Sequence, residues 1–190
     1  MRAITGLILA VAVALGAAGC KSGGQSRAEP AKVLFRVNCG AETAYTDKTG
    51  VKWAPDQEYT AAAKWGALGG KTVRRAMKTI EGTQAPEVYL TERWGMDGYR
   101  FDLPNGKYTL RLHFAETYED IKQAGQRIFF VTIQGKPALP NFDVFKAAGG
   151  FAKPIVKEFK GVAVTDGKLL IEFTQEPERP EINGIEIFAE

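Results

Sequence analysis

The chain has 190 residues, 45% of them hydrophobic and 25% charged, with 21 Gly and only 2 Cys. That is enough for one globular domain with a real core; it is too balanced for disorder and excludes a fold held together by several disulfides. The net charge of +3 comes from Arg2, Lys21, Arg27 and Lys32 against Glu29, which leaves 21 basic and 21 acidic side chains beyond residue 32. A neutral domain lacks the concentrated Lys/Arg on which nucleic-acid binding rests, so no nucleic-acid partner is expected.

The first segment, residues 1–19, reads as an address. Met1-Arg2 precedes an apolar run from Ala3 to Gly19, too short and wrongly flanked for a membrane span, as in a secretory signal. Leu15-Gly16-Ala17-Ala18-Gly19-Cys20 resembles a bacterial lipobox, in which the signal is cut before a cysteine that then carries lipid. Cys20 is the expected lipidation site, and Cys39 then has no partner for an internal disulfide. Cys39 is expected to be a buried small apolar residue. Residues 20–32 are polar, contain Gly and Ser and lack periodicity. They read as a flexible tether whose twelve residues after Cys20 reach roughly 20 Å. The expected location is across the inner membrane, lipid-anchored at the periplasmic face or the cell surface, with the membrane met through the lipid alone.

Residues 33–190 read as one all-β domain. Val33, Phe35 and Val37 alternate with their neighbours, and short β-prone runs follow at Glu87–Arg93 and Tyr99–Leu103. After the turn Pro104-Asn105-Gly106, Tyr108, Leu110, Leu112 and Phe114 alternate with Lys107, Thr109, Arg111 and His113. Phe129, Val131 and Ile133 repeat the pattern up to Gln134-Gly135, and Ile155–Val164 is again β-prone. Leu169, Ile171 and Phe173 follow Asp166-Gly167, and Ile185 and Ile187 follow Asn183-Gly184. This period of two, with turn chemistry between runs, predicts an antiparallel β-sandwich. Lys71–Ile80 fits a short helix or a further strand equally well.

Chemistry-bearing residues are few. The only serines are Ser22 and Ser26, ahead of the domain, and the only histidine is His113. Serine hydrolases and multi-histidine metal sites are thereby excluded. No calcium-loop spacing occurs, so neither metal nor cofactor is expected. His113, on a strand among apolar neighbours, is expected to be a solvent-side or hydrogen-bonded structural residue. All nine Tyr and Trp residues lie between Tyr45 and Tyr118. Tyr108 shares a face with Leu110 and Leu112 and belongs to the core. Several others sit beside turn-forming or charged residues, such as Trp53, Trp65, Trp94 and Tyr118. A ring with a polar atom suits a half-wet surface, and a sugar asks for such a surface: its C–H face stacks while its hydroxyls need polar partners.

Seven motifs occur in the order found in malectin domains. They are Arg36-Val37-Asn38-Cys39-Gly40, Tyr45-Thr46-Asp47, Trp53-Ala54-Pro55-Asp56-Gln57 and Val88 through Trp94, then Gly106 to Glu116, Phe142-Asp143-Val144-Phe145 and Pro180 through Ile187. The chain resembles that family from about residue 33 to its end. The resemblance implies a jelly-roll-like antiparallel β-sandwich that binds carbohydrate, of the glucose di- or oligosaccharide type, and catalyses nothing. Carried over by position, the family's ligand-facing aromatics fall on Trp53, Tyr89 and Tyr118. Glu119 stands where the family has a phenylalanine, and the binding aspartate falls near Glu178. Asp120 flanks the same loop, so Glu119, Asp120 and Glu178 are the expected hydroxyl acceptors. Two other readings compete. Glycoside hydrolysis would need a pair of carboxylates, drawn from Glu92, Glu116, Glu119, Asp120 and Glu178. A protein-interaction or structural lipoprotein would have kept the sandwich and lost the sugar, as the exchange of a ring for Glu119 allows.

Overall fold

The computed structural model describes residues 32–174 and 179–190; the signal, Cys20, the tether up to residue 31, and Glu178 lie outside them. In chain order the strands are β1 (Lys32–Asn38), β2 (Tyr45–Thr46), β3 (Lys52–Trp53), β4 (Trp65–Leu68), β5 (Lys71–Arg74) and β6 (Thr91–Trp94). They continue with β7 (Gly98–Asp102), β8 (Gly106–Phe114), β9 (Phe129–Ile133), β10 (Lys136–Phe142), β11 (Ile155–Val164), β12 (Lys168–Thr174), β13 (Glu181–Ile182) and β14 (Gly184–Ala189). A four-stranded sheet runs β1-β14-β8-β11 and a five-stranded sheet β10-β9-β12-β7-β4, with every neighbouring pair antiparallel. From β7 to β12 the chain crosses back and forth between the sheets, as a jelly roll requires.

The predicted alternation sets the core. Leu110, Leu112, Ile185 and Ile187 from the first sheet meet Tyr99, Phe101, Val131, Leu169 and Ile171 from the second in one buried cluster, which also holds Tyr108 and Cys39. Buried faces of this size stabilise by roughly 1.5–3 kcal/mol per large side chain. Tyr108 keeps its hydroxyl satisfied by donating to the Pro104 carbonyl at 2.6 Å.

A second, smaller cluster covers the outer side of the four-stranded sheet near β14. Trp53, Val88, Tyr89, Leu90, Ile80 and Ala115 form it. Gly184, opposite His113 in the ladder, makes this packing possible. A Cβ there would lie 2.8 Å from Val88 Cγ1 and 3.3 Å from Trp53 Cζ3, closer than carbon atoms pack.

Three elements depart from the sequence reading. The ambiguous run is a strand only over β5, and residues 75–80 carry no regular structure. The β-prone run Glu87–Arg93 is split: Pro86–Tyr89 is one turn of 3-10 helix, and β6 starts at Thr91. Pro86 pre-sets the backbone angle of the first turn, which propensity counting over Val88-Tyr89-Leu90 overlooks. A short helix, α1 (Val144–Ala148), follows β10; Asp143 caps it by accepting from the Lys146 amide at 2.9 Å, and Gly149 ends it at φ +77°. Asp before and Gly after is a helix boundary signal, present in the sequence within a motif that reads otherwise as extended.

Candidate functional site

A third, three-stranded sheet of β13-β6-β5 lies beside the sandwich. Its register pairs Lys71 with Trp94 and Val73 with Glu92, and pairs Glu181 with Trp94 across β13. Because side chains alternate along strands, Lys71, Val73, Glu92, Trp94 and Glu181 share one face, and Arg75 continues it past the end of β5. The opposite face carries Thr72 and Arg93, the latter donating to Asp56 at 2.7 Å and to the Gly69 carbonyl at 3.0 Å.

Over the first face passes the connection between β8 and β9, which supplies Tyr118 and Arg127. Arg179 enters from the segment before β13. Together Val73, Arg75, Glu92, Trp94, Tyr118, Arg127 and Arg179 line a cleft of about 360 Å³, within the size range of small-molecule sites. Tyr118 is 40% exposed. Its ring is flanked by the guanidinium carbons of Arg75 at 5.3 Å and Arg127 at 5.9 Å. The Trp94 ring has Arg179 at 5.2 Å and Lys71 at 5.6 Å. A larger hollow of about 810 Å³ between the β9–β10 hairpin and β11 has neither Tyr nor Trp in its lining.

Beneath the cleft is a buried ionic floor. Arg75 donates to Glu92 Oε1 at 2.5 Å, and Thr117 Oγ1 donates to Glu92 Oε2 at 2.9 Å. Arg127 Nε lies 3.3 Å from Glu116 Oε2, while Glu116 Oε1 accepts the Tyr118 amide at 2.9 Å and so fixes the start of the loop. Arg127 Nη1, Glu116 Oε2 and both Glu181 carboxyl oxygens are buried without a hydrogen-bond partner among the described residues. Burial pushes the Glu181 carboxyl well above the usual range, and the neighbouring charges of Glu92 and Glu116 push it further. Burial also raises the Glu116 carboxyl, against the pull of Arg127. A buried carboxyl with no partner keeps its proton rather than bear an uncompensated charge.

That has a stability consequence. The unfolded chain releases the Glu181 proton near the ordinary glutamate pKa, whereas the folded chain holds it, so stability falls as pH rises from that value toward the folded pKa. The slope is at most about 1.4 kcal/mol per pH unit. Glu181→Gln removes the titration, so its melting temperature is expected to gain on the parent's steadily from pH 5 to pH 8. A gap between the two that stays flat over this range would mean that Glu181 is ionised in the folded protein.

The residues expected from the sequence divide sharply. Tyr118 lines the cleft, and the Asp120 carboxylate hydrogen-bonds its phenol and raises it. Glu119 faces a different hollow, with Ile121, Lys122, Phe145 and Phe151. Glu178 lies outside the described residues. Trp53 and Tyr89 must be reassigned: at 4% and 3% exposure they have no ring face to offer a ligand. Trp53 packs edge-on to His113, ring centres 5.2 Å apart, and Tyr89 exchanges a 2.8 Å hydrogen bond with His113 Nδ1. His113 Nε2 in turn meets Glu186 at 3.0 Å, and Arg36 donates to the same carboxylate at 2.7 Å. Burial disfavours the Glu186 charge, but the His113 and Arg36 contacts outweigh it and hold the carboxyl below its usual range. His113 is thus a hydrogen-bonded structural residue. The cleft's Arg75, Trp94, Arg127 and Arg179 were not singled out as site residues from the sequence. Trp94 alone carried a signal, as a half-wet ring beside Gly95.

The class defined here is a β-sandwich of two antiparallel sheets with a ring-and-arginine cleft on an added sheet and its loops. The malectin domain profile matches residues 33–185, and the chain belongs to the malectin domain family. It is 27% identical over 145 residues to Malectin-A of Xenopus laevis, covering 74% of this chain and 49% of that protein. It is 30% identical over 129 residues to a probable receptor-like protein kinase of Arabidopsis thaliana, covering 67% of this chain and 13% of the kinase. Among solved structures, a β-glucuronidase of Bacteroides uniformis superposes with a TM-score of 0.74 at 26% identity, over 82% of this chain and 18% of that one. The chain therefore spans half or less of the length of each of these relatives.

Proposed function

We propose that the chain is a non-catalytic carbohydrate-binding module, held at a bacterial membrane by lipid on Cys20 and a short tether, that takes glucose-type di- or oligosaccharides. The observation that carries this reading is the cleft at Tyr118: an exposed ring on a loop anchored by Glu116, sharing one cleft with a second ring, Trp94, and with buried donors and acceptors. Rings meet the C–H face of a sugar and the polar groups meet its hydroxyls. Family membership points the same way. A non-catalytic role is supported by the state of Glu92 and Glu116, both buried and engaged by arginine, threonine or backbone. The lipid anchor rests on the residues before Ala31, read from sequence.

One observation favours a second reading, a protein-interaction lipoprotein without sugar. Of the three aromatic positions carried over from the family, only Tyr118 keeps an exposed ring.

Titration with a panel of oligosaccharides, followed by intrinsic fluorescence, separates the two. Trp94, half-buried in the cleft, is the reporter, and a saturable change in the micromolar to millimolar range is expected, with no product on long incubation. Silence from a folded protein across neutral and acidic sugars would favour the interaction reading.

A further inference from the structure

The cations in the lining of the cleft are arginines, and Lys71 approaches it only over the Trp94 ring. Lysines outnumber arginines 15 to 10 in the sequence, yet Arg75, Arg127 and Arg179 line the cleft and no lysine does. Lysine suffices where only positive charge is wanted, whereas the planar arginine fork matches a carboxylate with two parallel hydrogen bonds.

The three arginines are not equally occupied. Arg75 is taken up by Glu92 and Thr117. Arg127 meets Glu116 through Nε at 3.3 Å, but its Nη1 is buried without a hydrogen-bond partner among the described residues, although the residue is only 9% exposed. Arg179 is exposed and stacks on Trp94, and no carboxylate among the described residues pairs with it. Covering Arg127 with a ligand that brings no acceptor would leave its buried Nη1 donor unsatisfied, whereas a ligand carboxylate would accept from it. Within the floor Glu92 and Glu116 are already paired with Arg75 and Arg127, which leaves the charge of Arg179 uncancelled among the described residues. The Asp120 carboxylate, two residues beyond Tyr118, is engaged with the Tyr118 phenol.

We propose that the cleft takes a uronic acid residue, a sugar ring resting against Tyr118 and Trp94 with its carboxylate held by Arg127 and Arg179. The assignment rests on the carbohydrate-binding reading above and narrows it from the glucose type to its acidic counterpart.

The test is calorimetric titration of the purified full chain with three probes: glucuronic-acid oligosaccharides, the same oligosaccharides with each carboxyl reduced to a hydroxymethyl group, and a sulfated neutral oligosaccharide. Tenfold or more tighter binding of the acid than of its reduced form is expected, about 1.4 kcal/mol, with the gap shrinking as salt rises. Arg179→Gln, on the exposed rim, is expected to remove most of that gap and leave the melting temperature unchanged. Equal or tighter binding of the reduced form would overturn the uronate assignment and leave carbohydrate binding standing. Preference for the sulfated probe over the uronate would overturn the carboxylate assignment. No binding of any probe by the folded chain would remove both readings.

Discussion

Tyr118→Ala is expected to abolish saccharide binding while leaving the melting temperature nearly unchanged. The ring is 40% exposed and belongs to neither buried cluster. Its contacts inside the protein are the flanking guanidinium groups of Arg75 and Arg127 and the Asp120 carboxylate at its phenol, and the cation–ring pairs are worth about 0.5–1 kcal/mol at an exposed site. The loop's anchor is the amide of residue 118 on Glu116, which any side chain preserves. A stacked ring contributes through the area it shields from water, so its removal takes the contact out directly. Calorimetry and a melting curve on the same sample check both halves. A large fall in melting temperature would place Tyr118 among the structural aromatics, and unchanged affinity would remove it from the site.

The opposite behaviour is expected at Trp53→Ala: a loss of about 3–5 kcal/mol, or on the order of 10 °C in melting temperature for a domain of this size. Trp53 is 4% exposed, packs against His113 and Gly184, and directs its indole N–H at Asp47 Oδ2, 3.4 Å away. Truncation opens a cavity on the outer side of the four-stranded sheet, and the rigid ladder around Gly184 has little freedom to close it. Whatever fraction of the variant remains folded is expected to bind saccharide as the parent does. A variant that melts like the parent but no longer binds would put Trp53 back in the site.

The contrast between these two residues shows what the sequence could reveal. Alternation in Tyr108–Phe114, Phe129–Ile133 and Leu169–Phe173 was legible because a strand with one buried face writes its period directly into the chain. The class of the fold followed from that, and the β5–β6 pairing is equally regular. The site was harder to read because its parts come from four places: β5 and its end, β6, the β8–β9 connection and the approach to β13. Nothing in Arg75, Arg127 or Arg179 individually separates a cleft arginine from a solvated one; their convergence depends on cross-strand register and on the path of a loop. Trp53 and Tyr89 failed for a related reason. Positional correspondence with a family carries a residue's place in the chain, but the exposure of its ring depends on what packs over it. Here the second buried cluster, built from the 3-10 turn, the β2–β3 hairpin and the residues before and after them, closes over both rings. Glu119 shows the complement. The Ile121 amide donates to the Tyr118 carbonyl at 3.0 Å and closes a turn over Glu119 and Asp120, so the neighbour of a site residue faces another hollow.

The central claim is that saccharide sits between Tyr118 and Trp94. The most direct measurement is a heteronuclear NMR map of the backbone, indole and guanidinium N–H signals on addition of a bound oligosaccharide. The expected result is shifts concentrated at Trp94, Tyr118, Arg127 and Arg179, with the Trp53 indole unmoved. Shifts centred instead on the hollow beside the β9–β10 hairpin, or on Trp53 and Tyr89, would contradict the account.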